Sequence, residues 1–340
     1  MWNTKSDEPR LRRILRRLAT VSGILTALGI SLAMLPIWVP GLALLDFVRK
    51  SKWSGLRCGV YLTWLLLCEV AGLTWAAFLL IRPHRSQEAW LARHYALQHR
   101  WAGALFDGAV KLFGLRLEVE GAEALEGGPI LLFMRHATVA DALLPAVVAS
   151  RPYGIRLRYV LKQELRIDPC LDIVGDRLPN AFVQRGLPDG SREVARVASL
   201  ARDLGSQDGV VIYPEGTRFT AGRRARVLEK IKASGDLERW AAVEALKHVL
   251  PPRLGGVMGL IDASPNTDVV FCAHTGLERV TRLGDLFSGH ALGARLKVRC
   301  WRVVAHDIPK DEHGREAWLE NEWARVESFV AENQEMTKAR

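Results

Sequence analysis

Two long, almost uncharged stretches near the N-terminus limit what this chain can fold into more than any other feature. From Leu18 to Val48 the only charged residue is Asp46, and from Cys58 to Ile81 it is Glu69. As helices, residues 18–35 would rise about 27 Å and residues 58–81 about 36 Å, against roughly 30 Å for a bilayer's hydrocarbon layer. Pro36 and Pro40 forbid a straight continuation of the first run. Ahead of it, Leu11, Ile14, Leu15 and Leu18 fall at helical spacing among Arg10, Arg12, Arg13, Arg16 and Arg17, a pattern suited to anionic headgroups. A secretory signal would have a shorter apolar core and a small-residue cleavage pattern. The expectation is a basic amphipathic lead-in over 1–17 and a membrane-embedded helical hairpin over 18–84. A charge such as Glu69 at a helix centre costs about 2.5–3.5 kcal/mol on insertion scales. It is therefore expected to be protonated, to face a partner helix, or to mark a shallow segment. Positive charge on both flanks and in the connecting loop leaves spanning and re-entrant arrangements open.

Residues 85–115 read as an interfacial amphipathic helix, with Ser86 as N-cap and Gly114 as stop. Its Trp90, Tyr95, Trp101 and Phe106 suit either the interfacial belt or packing onto the domain that follows. The 340 residues carry a formal net charge of +10. Bases crowd "PRLRRILRRL" (9–18), "VRKSKWSGLR" (48–57) and "IRPHR" (81–85), each beside an apolar run, which favours an anionic membrane surface. No zinc-finger spacing or aromatic RNA-binding motif occurs, so no nucleic-acid partner is expected. The five cysteines are odd in number and lack C-x-x-C pairs, which argues against a disulfide framework or a structural zinc site and fits a reducing compartment.

From residue 116 to 340 strand-like and helix-like stretches alternate, the mark of an α/β domain with a mixed sheet flanked by helices. The strand candidates are "RLEVEG", "PILLFM", "RYVLKQEL", "NAFVQR", "GVVIYPEGT", "TDVVFCAHT" and "ARLKVRCWRVVA". "VADALLPAVVAS", "SREVARVASLARDLG" and "REAWLENEWARVESFVAEN" read as helical, and 219–250 as a charged helical insertion. Polar residues gather at strand ends, where α/β folds collect ligand groups. His136 follows "PILLFM", Lys162 lies in "YVLKQEL", Arg185 closes "NAFVQR", and Glu215, Gly216, Thr217 and Arg218 follow "GVVIYP".

Taken alone, His136 would be a surface histidine and Asp141 a helix cap. Taken together, "RHATVAD", "KQEL", "FVQR" and "EGTR" in this order resemble the glycerolipid acyltransferase family, which includes the 1-acyl-sn-glycerol-3-phosphate acyltransferases. "LPPRLGG" (250–256) is similar to the proline–arginine block of the branch with a longer insertion. The resemblance covers about residues 115–310. It implies the family's α/β fold, an O-acyltransferase activity, and catalytic roles for His136 and Asp141. It also implies that Lys162, Arg185, Glu215, Gly216, Thr217 and Arg218 serve the acceptor. Two positions depart from the pattern: Arg135 where asparagine is frequent, and Pro179 where a glycine is expected. Both bear on the choice of acceptor.

The chemistry asks for these residue types. A lipid hydroxyl attacking an acyl thioester must lose a proton, and a histidine near neutral pKa takes it as general base, with the aspartate orienting the ring. No G-x-S-x-G elbow is present, which weighs against a serine hydrolase. Arginine and lysine suit a lysophospholipid phosphate. A weaker role, oxyanion stabilisation by the Gly216 backbone or Thr217, follows from general logic. His274 has no aspartate at comparable spacing and reads as structural. The expected acceptor is 1-acyl-sn-glycerol-3-phosphate, giving phosphatidic acid, with acyl-CoA or acyl carrier protein as donor and no cofactor or metal. The expected location is the inner or cytoplasmic membrane, the domain facing the cytoplasm. Another lysolipid acceptor, or a non-catalytic anionic-lipid-binding protein, are the competing readings.

Overall fold

The computed structural model describes residues 8–138, 140–184 and 190–338. Four helices come first: α1 (Arg10–Ala33), α2 (Leu35–Arg49), α3 (Ser54–Ile81) and α4 (Gln87–Phe113). Helix α1 runs unbroken through residues 17 and 18, so the lead-in and the first apolar run are one rod. It stops at Met34, just before Pro36 occupies the first turn of α2, where a missing N–H costs nothing. The lone charge of the first run has a task. Asp46 is buried, and its carboxylate accepts from Gly55 N (3.1 Å) and Leu56 N (2.7 Å), capping first-turn amides of α3 that have no partner within the helix.

Helices α1 and α3 are long and apolar enough to cross a membrane. Their surroundings differ. Leu11, Ile14, Leu15, Leu18, Leu25 and Ile30 of α1 are exposed, whereas α3 is fastened lengthwise to the rest of the molecule. Ser54 Oγ donates to Phe287 O (3.0 Å) at one end, and Arg177 Nη1 to Ala76 O (2.7 Å) at the other. Glu69 is only 2% exposed. It accepts from Trp101 Nε1 (3.0 Å) on α4 and from Cys170 N (3.2 Å). The midpoint carboxyl group thus faces protein, and the hydrogen bonds offset its removal from water. Arg16 and Arg17 likewise reach inward, to Asp172 and, for Arg17, Asp176. Ser86 accepts from Ala89 N, and Gly114, at φ 69°, closes α4 as its sequence suggests. Tyr95, Leu97, Leu105, Phe106 and Phe113 of α4 are buried, so the helix packs against its neighbours along much of its length.

Seven strands form one mixed sheet: β1 (Arg116–Glu120), β2 (Ile130–Met134), β3 (Arg156–Lys162), β4 (Ala181–Val183), β5 (Asp208–Ile212), β6 (Asp268–Thr275) and β7 (Arg295–Val303). Their order is β1-β7-β6-β2-β5-β3-β4, parallel throughout except for the antiparallel β6–β7 pair. Strand β2 sits mid-sheet with all five residues buried, and its alternation divides them between two cores. Leu132 and Met134 join Tyr61 of α3 and Phe106 and Phe113 of α4 on one face. Leu131 and Phe133 join Val257 and Leu260 of α10 (Leu254–Ala263) and Trp323 of α11 (Glu312–Lys338) on the other. The crossovers α6 (Pro169–Gly175) and α7 (Ser191–Ala198) carry the chain between parallel strands. The 219–250 insertion forms α8 (Ala221–Ser234) and α9 (Leu237–Ala245), with a one-turn α5 (Arg151–Tyr153) earlier in the chain.

One stretch departs from its sequence pattern. Instead of a single α-helix, "VADALLPAVVAS" folds as a 3₁₀ turn at Ala140–Ala142 and a π-turn at Ala146–Ser150. Pro145 lacks the N–H that would bond the Asp141 carbonyl four residues back. That carbonyl accepts instead from the Tyr213 hydroxyl at 2.7 Å. The break keeps Asp141 in a tight turn directly after His136.

Candidate active site

The C-terminal ends of β2, β3, β5 and β6 converge, and the site residues selected from the sequence lie there, Arg185 excepted, which is outside the described residues. His136 follows β2 by two residues, and its Nδ1 lies 3.0 Å from Asp141 Oδ2. The same oxygen accepts from Ala137 N (2.6 Å) and Thr138 N (2.7 Å), and Oδ1 accepts from Thr138 Oγ1 (2.6 Å). Asp141 is fully buried while His136 keeps 16% side-chain exposure. Burial alone would push the Asp141 carboxyl up. His274, His136 and Thr138 outweigh it and hold the group at about 2. An ionised carboxylate can only accept, so the His136 proton sits on Nδ1 and the lone pair on Nε2.

The "PEGTR" loop after β5 grips His136 from both sides of its backbone. Glu215 Oε1 accepts from His136 N (2.7 Å), and Phe219 N donates to His136 O (2.9 Å). Glu215 is itself buried, its other oxygen accepting from Leu250 N (2.9 Å). Burial pushes its carboxyl up to about 8, against Arg135 and the two amide donors. Both oxygens are thus spent on backbone, which makes Glu215 a clamp on the loop. Gly216 turns at φ 69°, and a Cβ there would stand 2.7 Å from the Arg253 side chain. Thr217 and Arg218 are half-buried on the same loop, and an Arg218 Nη1 donates to Thr281 O. Lys162 ends β3. Burial lowers the His136 pKa below its ordinary value, Asp141 opposes this, and the charges of Lys162 and Arg218 lower it further. Lys162 and Arg218 thus act on the histidine through their charge. Arg185 lies outside the described residues.

Residues 116–255 match the Acyltransferase family model. Over these residues the chain is similar to the glycerolipid acyltransferase family. Among curated relatives, mouse 1-acyl-sn-glycerol-3-phosphate acyltransferase epsilon is 20% identical over 200 residues, 56% of this chain and 54% of the relative. The human delta enzyme of the same name is 27% identical over 179 residues, 52% of this chain and 45% of the relative. The chain thus spans about half the length of the curated relatives it matches. The crystal structure of the 1-acyl-sn-glycerophosphate acyltransferase PlsC from Thermotoga maritima superposes with a TM-score of 0.51 at 17% identity. The likeness of fold covers 84% of this chain and 98% of that one.

The two departures from the family pattern now have locations. Arg135 is fully buried: Nη1 donates to His274 O (2.6 Å) and to Glu278 Oε1 (2.8 Å), and Nη2 to His248 O (3.1 Å). It ties the ends of β2 and β6 together and offers no surface to an acceptor. Burial would raise the Glu278 carboxyl, but Arg135, Thr275 and Gly276 hold it at about 2. Replacing Arg135 by Asn should cost about 3–5 kcal/mol, as breaking a buried charge pair does. Thermal unfolding would register that loss while the acceptor KM of the folded fraction stays unchanged. Pro179 precedes β4 at the opposite end of the sheet, beside Arg156 and Asp208 at the starts of β3 and β5. It too stands away from the histidine.

Three further residues stand at the site, of which Tyr213 escapes a reading of the sequence. The Tyr213 ring lies against His136, with centroids 4.5 Å apart, while its hydroxyl holds the Asp141 carbonyl. Its position one residue before "PEGT" was the available signal. His274 donates from Nε2 to Arg135 O (2.9 Å) and stands 3.5 Å from Asp141 Oδ1, directly beneath the His136–Asp141 pair. Arg253, in the proline–arginine block, leans over Gly216.

Proposed function

We propose that the chain is a membrane-bound O-acyltransferase that moves a fatty acyl group from acyl-CoA or acyl carrier protein to the free hydroxyl of a lysophospholipid. The first-choice acceptor is 1-acyl-sn-glycerol-3-phosphate, and the product phosphatidic acid. The observation that carries this is the His136–Asp141 pair, with Nδ1 committed to the carboxylate and the charges of Lys162 and Arg218 acting on the ring. His136 Nε2 takes the hydroxyl proton as the oxygen attacks the thioester carbonyl. The tetrahedral oxyanion collapses, the C–S bond breaks, and the leaving thiolate takes the proton back from the imidazolium. Asp141 stabilises that imidazolium. Lys162 and Arg218 bind the acceptor phosphate, with Arg185 assigned there by the family motif alone. The names of the curated relatives and of the PlsC structure support the acceptor class.

The hairpin suits an acceptor that lives in a bilayer. Extraction into water would cost about 0.8 kcal/mol per CH₂. The exposed apolar side chains of α1 and α2, among them Leu18, Leu25, Ile37 and Phe47, form the membrane contact, and α3 joins them to the domain. The domain faces the cytoplasm, where thioester donors are found.

The base works only when neutral. Because the His136 pKa lies below its ordinary value, kcat/KM should be flat above about pH 6.5 and fall only at lower pH. Lys162 and Arg218 both lower that pKa, so Arg218→Gln should move the acid limb to higher pH and raise the acceptor KM. A pH–rate series with several lysolipid acceptors checks both. An acid limb unmoved by the substitution would contradict the charge arrangement, and preference for another headgroup would reassign the acceptor.

A further inference from the structure

The segment 247–250, between α9 and the proline–arginine block, is neither helix nor strand, yet it is held unusually hard. One carboxylate on α11 does most of this. Glu327 Oε1 accepts from Lys247 N (3.0 Å) and lies 2.7 Å from His248 Nδ1. Its Oε2 accepts from His248 N (2.8 Å) and Val249 N (3.1 Å). Three consecutive amides and an imidazole thus converge on one side chain. One turn earlier on α11, Trp323 Nε1 donates to Leu250 O (2.9 Å).

The other side of the segment touches the two residues that flank or clamp the histidine. His248 O accepts from Arg135 Nη2, and Leu250 N donates to Glu215 Oε2, whose partner oxygen holds His136 N at 2.7 Å. A continuous line of hydrogen bonds therefore runs from α11, beyond the residues that match the family model, to the backbone of the base. We propose that Glu327 is a positioning residue for the reaction, acting through segment 247–250 and Glu215 on His136. This rests on the acyltransferase reading. Ionised acceptors make the stronger hydrogen bonds. A shift of about 1 Å at a reacting group costs on the order of 10²-fold in rate. Glu327 touches no substrate; it keeps Leu250 N–H at Glu215 and so limits the travel of His136.

The test uses the full chain in nanodiscs. Glu327→Gln presents an amide NH₂ to backbone donors, and kcat should fall about tenfold, with both KM values within about twofold of wild type. Glu327→Asp keeps the charge and should recover part of the loss. Glu322→Gln alters a carboxylate on the same helix that serves Trp301 and Arg325, and should leave kcat unchanged. The double variant with Glu215→Gln should be no slower than Glu215→Gln alone within about threefold, because the two act on one line. Independently of turnover, amide exchange at Leu250 and His136 should speed up in Glu327→Gln. Additive losses, an unchanged kcat, or unchanged exchange at His136 would overturn the proposal. If Glu327→Gln does not fold, Glu327→Asp decides it by the same kcat and exchange readings. Absent turnover in wild type would refute the reaction, and the exchange comparison would still report on the coupling.

Discussion

His136→Ala should abolish measurable acyl transfer while leaving the protein folded. The base contributes about 10²–10⁴-fold in reactions of this kind, and no second imidazole stands in its place, since His274 is buried and bonded to the Arg135 carbonyl. The fold should survive because Asp141 keeps three other donors, from Ala137 N, Thr138 N and Thr138 Oγ1. His136 also holds the "PEGTR" loop through its backbone, which alanine preserves. Steady-state kinetics beside a thermal melt separate the two. A melt unchanged within a few degrees and a rate at background are expected, whereas retained transfer would remove His136 from the mechanism.

Asp141→Asn should be nearly as damaging, for a different reason. The amide oxygen can take the place of Oδ2 and accept the same three N–H groups, and its NH₂ can donate to Thr138 Oγ1. The turn and the His136 tautomer are then kept, and the negative charge is lost. The imidazolium formed during attack loses its partner, on the scale of one preorganised electrostatic contact, about 10²–10³-fold in kcat. The pH profile supplies the sign. Asp141 raises the His136 pKa, so the acid limb of kcat/KM should move to still lower pH in the variant. A stability signature follows too. The Asp141 carboxyl is held at about 2 in the folded protein, below its unfolded value. Its stabilisation is therefore full above about pH 4 and is lost as pH falls towards 2. Acid unfolding monitored by tryptophan fluorescence should begin at higher pH in Asp141→Asn.

Much of the architecture was legible because local pattern and tertiary packing agree. Each of the seven strands lies within a stretch whose apolar content marks it, and β2 reads as a run because both faces are covered. Ser86 and Gly114 bound α4 by cap chemistry that any helix end needs. The failures arise where a distant residue decides. Residues 140–150 show helical periodicity, but Pro145 removes one bond and Tyr213, far along the chain, supplies its replacement. Glu69 looks anomalous in an apolar run until Trp101 and Cys170 are brought to it. Arg135 looks like a substrate residue beside the histidine, yet the strand's alternation turns it into the interior towards Glu278. The same limit applies to the site. His136 and Asp141 are visible by spacing, whereas the backbone role of Glu215 depends on amides from β2 and from residue 250.

The most direct measurement is product analysis by mass spectrometry. Purified protein in nanodiscs would receive 1-acyl-sn-glycerol-3-phosphate and a long-chain acyl thioester, with parallel reactions lacking either substrate. The account predicts phosphatidic acid and free thiol in equal amounts, formed only when both substrates are present and lost in His136→Ala. Folded wild-type protein that transfers no acyl group to this or any other lysolipid would contradict it.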